Sequence, residues 1–101
     1  MPENSSTLYL VFTHPLEGAG DRSSVREAHK LYRRELESKG ILVAGGPIID
    51  EQSGKTSGSG MAIVRAASES IAADIIREDP FVARGFRRFE IMAWRVQNGK
   101  L

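Results

Sequence analysis

His29 and Asp79 have side chains that can exchange protons, and each lies on the predicted buried face of an amphipathic helix. His29 shares its helix face with Val25, Tyr32 and Leu36, because steps of three and four residues return to one side of an α-helix. Burial disfavours a charged imidazole, so this position favours a neutral ring that can accept a proton. The alternative interpretation is a core histidine that is hydrogen-bonded to a carbonyl group.

Asp79 continues the apolar face formed by Ala72, Ile75 and Ile76 on the second predicted helix. A carboxylate at the buried end of a helix requires a partner, because an unpaired buried charge is strongly unfavourable. That partner is either a charged or polar side chain, or the backbone amides where the chain turns at Pro80. The position therefore indicates a structured environment for Asp79 under both interpretations.

Considered together, His29 and Asp79 predict a general base. Both helices are expected on the same face of the sheet, and each directs one polar group towards the interior. A carboxylate that accepts a hydrogen bond from an imidazole fixes its tautomer and stabilises the imidazolium formed when the ring takes a proton. We therefore predict that His29 moves a proton and that Asp79 orients it.

Other motifs give weaker signals. Gly54-Lys55-Thr56 is similar to the end of a phosphate-binding loop, but Ile49 stands where that motif requires glycine. His14, at the end of the first predicted strand, is a further candidate for the site. No pair of candidate ligands has helical metal spacing, so we predict neither a metal ion nor a cofactor.

The composition excludes several classes of function. The 101 residues include 14 basic and 13 acidic side chains, and this net charge of +1 gives no reason to expect nucleic acid or a membrane as a partner. Cysteine is absent, which excludes disulfides, thiolate nucleophiles and cysteine-based zinc sites. No signal-like N-terminus and no apolar run of roughly 20 residues is found, so we expect a cytoplasmic protein. The pairs Arg33-Arg34 and Arg87-Arg88 lie among acidic residues, and we interpret both pairs as solvated.

The pattern of elements predicts an α+β fold in the order β-α-β-β-α-β, the ferredoxin-like antiparallel sheet with two helices on one face. A capping box formed by Ser24 and Glu27 is expected to start the first helix, and Gly40 to end it. Ser68 is expected to cap the second helix, which buries Ile71 and ends at Asp79. Strands are predicted over residues 8–14, 41–44, 61–64 and 86–96, with a polar hairpin loop over 50–60. We expect a single domain over residues 1–101, with its core at about 7–96 and polar termini.

The strands also predict an assembly. A sheet with one solvated face alternates apolar and polar residues, yet the predicted strands are apolar at consecutive positions, as in residues 8–12 and 91–94. Helices cover only one face, so we predict that a second copy of the sheet covers the other face in a homodimer. The alternative is that the strands carry stray apolar residues on a solvated face.

Four stretches of the chain resemble the YciI-like (YCII-related) family. They are Ser24-Val25-Arg26-Glu27-Ala28-His29, Gly40-Ile41-Leu42 followed by Gly45-Gly46-Pro47, the small glycines of the hairpin, and Asp79-Pro80-Phe81-Val82 with Gly85. Together they span roughly residues 8–96. The resemblance implies a dimeric α/β-barrel built from two ferredoxin-like sheets.

The resemblance also implies a site. It makes His29 and Asp79 a catalytic dyad and places Arg26, Gly46 and Pro47 in the pocket. We add Ser24, Phe81 and His14 as predicted contacts with the substrate; at position 14 some members have an aspartate instead.

Relatives include a dehydrochlorinase of a chlorinated hydroquinone and, more distantly, muconolactone isomerases. We therefore expect a lyase or isomerase that acts on a small molecule without a cofactor, with Arg26 and the amides near Gly46 binding anionic oxygen. The alternatives are a non-catalytic binding or sensing dimer that uses the same pocket, and a structural dimer in which the contact between His29 and Asp79 only satisfies buried polar groups.

Overall fold

A computed structural model describes residues 7–18 and 20–101 of the chain; the predicted polar N-terminal residues 1–6 lie outside this part. Its elements, in chain order, are β1 (Thr7–Pro15), α1 (Arg26–Ser38), β2 (Leu42–Ile49), β3 (Thr56–Ala66), α2 (Glu69–Arg77), α3 (Pro80–Ala83) and β4 (Arg87–Trp94). A short 3-10 turn, Ser23–Val25, precedes α1.

The four strands form one antiparallel sheet in the order β2-β3-β1-β4. In the central strand β1, Val11 pairs with Ala62 of β3 on one side and with Ile91 of β4 on the other. This strand order and the helices on one face of the sheet confirm the predicted ferredoxin-like α+β fold.

The core lies between the sheet and the helices. Side chains alternate in burial along β1, where Tyr9, Val11 and Thr13 are buried and the residues between them are not. Ala72 and Ile76 of α2 pack against this face and are almost completely buried. Full burial of a side chain such as that of Ile76 stabilises the fold by about 1.5–3 kcal/mol relative to an exposed position.

The helix termini agree only in part with the sequence. Gly40 ends α1 with a φ of +76°, a backbone conformation that favours glycine, and the Ser68 hydroxyl accepts a hydrogen bond from the Ile71 amide at 3.2 Å. The predicted capping box is wrong: residue 25 occupies the N-cap position of α1, and no side chain caps it. Ile71 was also predicted as buried, yet it is 46% exposed because it lies on the outer side of α2.

Strands β2 and β3 are longer than predicted. Gly46 and Pro47 lie within β2 and pair with Met61 and Gly60 of β3, and the connecting loop spans only residues 50–55. The predictions that the second strand ends at residue 44 and that a hairpin loop spans 50–60 are therefore wrong. Strand pairing uses backbone groups, so a segment rich in glycine and serine can continue a ladder despite its low strand propensity.

The face of the sheet opposite the helices carries large apolar side chains. Met92 and Trp94 of β4 are 51% and 37% exposed, and Leu10 and Phe12 of β1 are half-buried on the same face. We call these four residues the open face. Among the described residues, no helix has the length and apolar character needed to cross a bilayer.

Candidate functional site

A cavity of about 280 Å³ lies on the helix side of the sheet. Five of its polar side chains come from four elements or segments: His29 and Arg33 from α1, Asp79 from the N-cap of α3, Thr13 from β1 and Arg87 from β4. The rest of the wall comes from β2, β3 and the first turn of α3. These lining residues are Gly46, Pro47, Thr56, Gly58, Ser59, Gly60, Met61, Ala62, Phe81 and Val82. Arg22 also lies at the cavity. This volume is slightly below the range of about 300–1,000 Å³ typical of small-molecule pockets.

His29 and Asp79 meet at this cavity. The His29 Nδ1 atom lies 2.8 Å from Asp79 Oδ1 and 3.0 Å from Oδ2. The carboxylate is 1% exposed, whereas the imidazole is 23% exposed because its other edge faces the cavity. An ionised carboxylate only accepts hydrogen bonds, so Nδ1 carries the proton in this contact. In the neutral ring Nε2 is then the atom with a free lone pair.

Asp79 is held by two further donors. Arg33 Nε donates to Oδ2 at 2.8 Å, and the Phe81 amide donates to Oδ1 at 2.9 Å, because Asp79 is the N-cap of α3. Burial alone raises the pKa of Asp79, but the hydrogen bonds from His29 and Arg33, the Arg33 charge and the Phe81 amide together lower it. The carboxylate therefore stays ionised, and Asp79 has both kinds of partner at once: the Phe81 amide at the turn and the side chains of His29 and Arg33.

Phe81 fixes the imidazole from a second side. The two rings stack with their centroids 4.1 Å apart and an angle of 15° between their planes. The Arg22 guanidinium lies 5.4 Å from the centroid of the same phenyl ring. Hydrogen bonding through Nδ1 and stacking on Phe81 together limit the imidazole to one orientation.

The structure brings together only some of the predicted site residues. Gly46, Pro47 and Phe81 line the cavity with His29 and Asp79, whereas Ser24 and Arg26 are exposed and do not line it. Ser24 lies in the 3-10 turn before α1 and Arg26 is the first residue of α1, and both side chains point to solvent. Their position therefore does not support the expected contacts with substrate.

His14 also does not line the cavity. Its Nδ1 atom lies 2.8 Å from the hydroxyl oxygen of Ser59, which is a lining residue, and its Nε2 atom lies 3.4 Å from Glu90 Oε1. Alternation along β1 directs His14 to the same side as the open face, away from His29.

Sequence reasoning missed the arginines of the site. Arg33 and Arg87 were interpreted as solvated, yet both are half-buried at the cavity, whereas their sequence neighbours Arg34 and Arg88 are exposed. One signal could have found Arg33: it lies four residues after His29, so the two share one face of α1. Among the described residues, no three His, Asp or Glu side chains lie close enough together to hold a metal ion.

The sequence matches one family model, the YCII-related domain, over residues 7–95. No curated protein matches the sequence. The fold is similar to that of 5-chloro-2-hydroxyhydroquinone dehydrochlorinase from Burkholderia phenoliruptrix AC1100, solved in complex with 2,5-dihydroxybenzoquinone. That likeness has a TM-score of 0.68 at 21% identity and covers 87% of this chain and 93% of the other.

A second solved structure, the first two RRM domains of the yeast poly(U)-binding protein, has a TM-score of 0.46 and 18% identity. The alignment covers 89% of this chain and 49% of the RRM structure. A likeness at this level carries no argument about function.

Proposed function

Because the chain belongs to the YCII-related domain family and its cavity holds an imidazole oriented by a carboxylate, we propose that it is a cofactor-independent lyase or isomerase of small molecules. His29 moves the proton, and Asp79 positions His29. The contact of 2.8 Å between His29 Nδ1 and a carboxylate that is 1% exposed carries this proposal. At 21% identity the dehydrochlorinase supports it only through its fold.

The geometry fits a reaction in which one group, His29, first takes up a proton and later returns it. Nε2 of His29 takes a proton from a carbon atom of the bound molecule, and the negative charge of Asp79 stabilises the imidazolium that results. In an elimination, the electrons of the broken C–H bond form a double bond, the leaving group departs with its own electron pair, and His29 later returns the proton to water. In an isomerisation, the same proton returns to a different carbon atom.

The protein is also proposed to be a homodimer in which the open faces of two copies pack together. Met92 is 51% exposed and Trp94 is 37% exposed on a sheet face that no helix covers in the described part of the chain. Large apolar side chains exposed on one sheet face are unfavourable in water, and a two-fold partner would bury them.

The proposal is tested by comparing two histidine variants. Hydroxylated aromatics, including 5-chloro-2-hydroxyhydroquinone, and lactones are first screened by thermal shift, and products are then sought by mass spectrometry. With a compound that is turned over, His29→Asn should lower kcat by about 10²- to 10⁴-fold, the usual contribution of a general base. His14→Asn, the same change outside the cavity, should stay within about threefold of wild type.

Two results would contradict the proposal. Full turnover by a folded His29→Asn variant would show that His29 is not the general base. A compound that raises the melting temperature and is always recovered unchanged would favour the alternative function, a non-catalytic binding or sensing domain that uses the same cavity.

A further inference from the structure

Three arginines from separate parts of the chain meet at the cavity. Arg22 comes from the segment before α1, Arg33 from α1 and Arg87 from the start of β4. The single carboxylate among the described lining residues is Asp79, so the cavity carries a formal charge of +2 when His29 is neutral. The whole chain carries only +1, which means that the excess positive charge is concentrated at this cavity.

Arg33 is already compensated, since its Nε atom donates to Asp79 at 2.8 Å. Arg87 has no carboxylate partner among residues 7–18 and 20–101. Its Nη2 atom donates to the Gly58 carbonyl at 2.8 Å and to the carbonyl and hydroxyl oxygens of Thr13 at 3.1 and 3.2 Å. These acceptors are neutral, so they fix the guanidinium in place without cancelling its charge. Within residues 7–18 and 20–101, Nε and Nη1 of Arg87 have no hydrogen-bond acceptor.

Arg22 is the second cation of the cavity. It is half-buried over the Phe81 ring, with its guanidinium carbon 5.4 Å from the ring centroid. In the described part of the chain, it forms no ion pair with a carboxylate. The phenyl ring that contacts Arg22 also stacks on His29, so this cation and the proposed general base flank one aromatic side chain.

Keeping these like charges close together is unfavourable. Burial lowers the pKa of Arg87, and repulsion from Arg22 and Arg33 lowers it further. A bound anion would reverse this cost, because it attracts all three guanidinium groups at once. The planar guanidinium donates two parallel hydrogen bonds to a carboxylate or to a similarly delocalised oxyanion.

We propose that the cavity selects small conjugated organic anions, either carboxylates or ionised enols and phenols, and that Arg87 and Arg22 bind their oxygens. Pro47, Met61 and Val82 supply an apolar wall for the conjugated part of the molecule. That His29 lies beside the reacting carbon of the bound molecule is part of the proposed function. The preference of the cavity for anions follows from the arginines alone.

The experiment compares charged and neutral probes of similar shape by isothermal titration calorimetry. Benzoate is paired with benzamide to test carboxylates, and ionised 2,5-dihydroxybenzoquinone is paired with hydroquinone to test enols and phenols. At least one anion should bind the wild type with an affinity at least tenfold higher than that of its neutral partner. The probe that binds shows which kind of oxyanion the cavity takes.

Substitutions then locate the anion. Arg87→Met should weaken binding of that anion by about 10- to 100-fold, the usual effect of losing a charge-assisted hydrogen bond. Arg34→Met, an exposed arginine of α1, is the matched control and should leave binding unchanged. Because Arg87 also joins β1 to β3, Arg22→Met is a second variant. It should weaken binding at least threefold without loss of the folded state by circular dichroism.

The inference is wrong if neither anion binds the wild type, if the neutral probes bind as tightly, or if Arg34→Met weakens binding as much as Arg87→Met and Arg22→Met do. Its failure can be told apart from failure of the proposed function. Arginine-dependent anion binding without any turnover would support the charge preference and contradict the proposed enzyme activity. Turnover of a neutral compound that depends on His29 would support the enzyme activity and contradict the charge preference.

Discussion

Replacement of Asp79 by asparagine can leave one of its three contacts in place but must disturb at least one of the other two. The side chain keeps its size, and its remaining oxygen can still accept from the Phe81 amide. Its new NH₂ group, however, must face either the Arg33 Nε–H or the His29 Nδ1–H, both of which are donors. The substitution also removes the negative charge that compensates Arg33.

The magnitude follows from these contacts. Breaking a fully buried ion pair costs about 3–5 kcal/mol, and losing a hydrogen bond to a charged group costs about 1.5–3 kcal/mol. Arg33 is 21% exposed and can be partly hydrated, which reduces the cost. We therefore expect Asp79→Asn to lower the free energy of unfolding by about 2–3 kcal/mol, or the melting temperature by about 10–20 °C. Asp74→Asn, which removes an exposed ion pair with Arg77, should cost less than about 0.5 kcal/mol.

The effect of Asp79→Asn should also depend on pH. The pKa of Asp79 is lower in the folded chain than its ordinary value of 3.8, so the unfolded state binds more protons in the range between the two values. The stabilisation by the carboxylate is therefore fully present above the unfolded pKa and is lost as the pH falls through the folded pKa. The difference between wild type and Asp79→Asn should shrink as the pH falls below about 4.

Urea unfolding, followed by the fluorescence of the single tryptophan, Trp94, measures these differences at one fixed protein concentration. Asp74→Asn serves as the control at every pH. Two results would contradict this description of Asp79 as an ionised carboxylate with three hydrogen-bond donors. One is that Asp79→Asn lowers the free energy of unfolding no more than Asp74→Asn does. The other is that Asp79→Asn lowers it equally at pH 3 and pH 7.

Two further predictions concern the open face and the stacked ring. Met92→Lys should convert a dimer into a monomer in light scattering after size-exclusion chromatography, because it places a charge in the proposed interface. Leu31→Lys, at a residue 63% exposed on α1, should not. A monomeric wild type would refute the dimer. Phe81→Leu should destabilise the fold by about 1–2 kcal/mol in thermal unfolding and lower turnover, since it removes the ring that stacks on His29; unchanged stability and activity would argue against this positioning role.

The fold could be predicted from the sequence because its signals are local and repeated. Apolar residues at helical spacing place Leu36 and Ile76 in the core, and Gly40 marks the end of α1. The same spacing brings His29 and Asp79 to the interior, where they meet. What spacing could not provide was the distance between them, because it depends on how two helices pack on a shared sheet.

The missed features have physical reasons. The continuation of β3 through residues 56–60 depends on backbone pairing with β1 and β2, which glycine and serine side chains do not reveal. The arginines escaped prediction because a long side chain can bury its stem while its charged end reaches a cavity. For Arg87, burial at the cavity depends on the Thr13 and Gly58 oxygens that the sheet brings near it, 74 and 29 positions away along the chain.

The proposed role of Asp79 is to hold the proton of His29 on Nδ1 and so to leave Nε2 free as the base at the cavity. Long-range ¹H–¹⁵N correlation spectra of the histidine rings, recorded at alkaline pH, measure this tautomer directly. We expect the neutral His29 ring to be protonated at Nδ1, and we expect Asp79→Ala, which removes both acceptor oxygens, to abolish this preference. A neutral ring protonated at Nε2, or a tautomer unaffected by Asp79→Ala, would contradict this role.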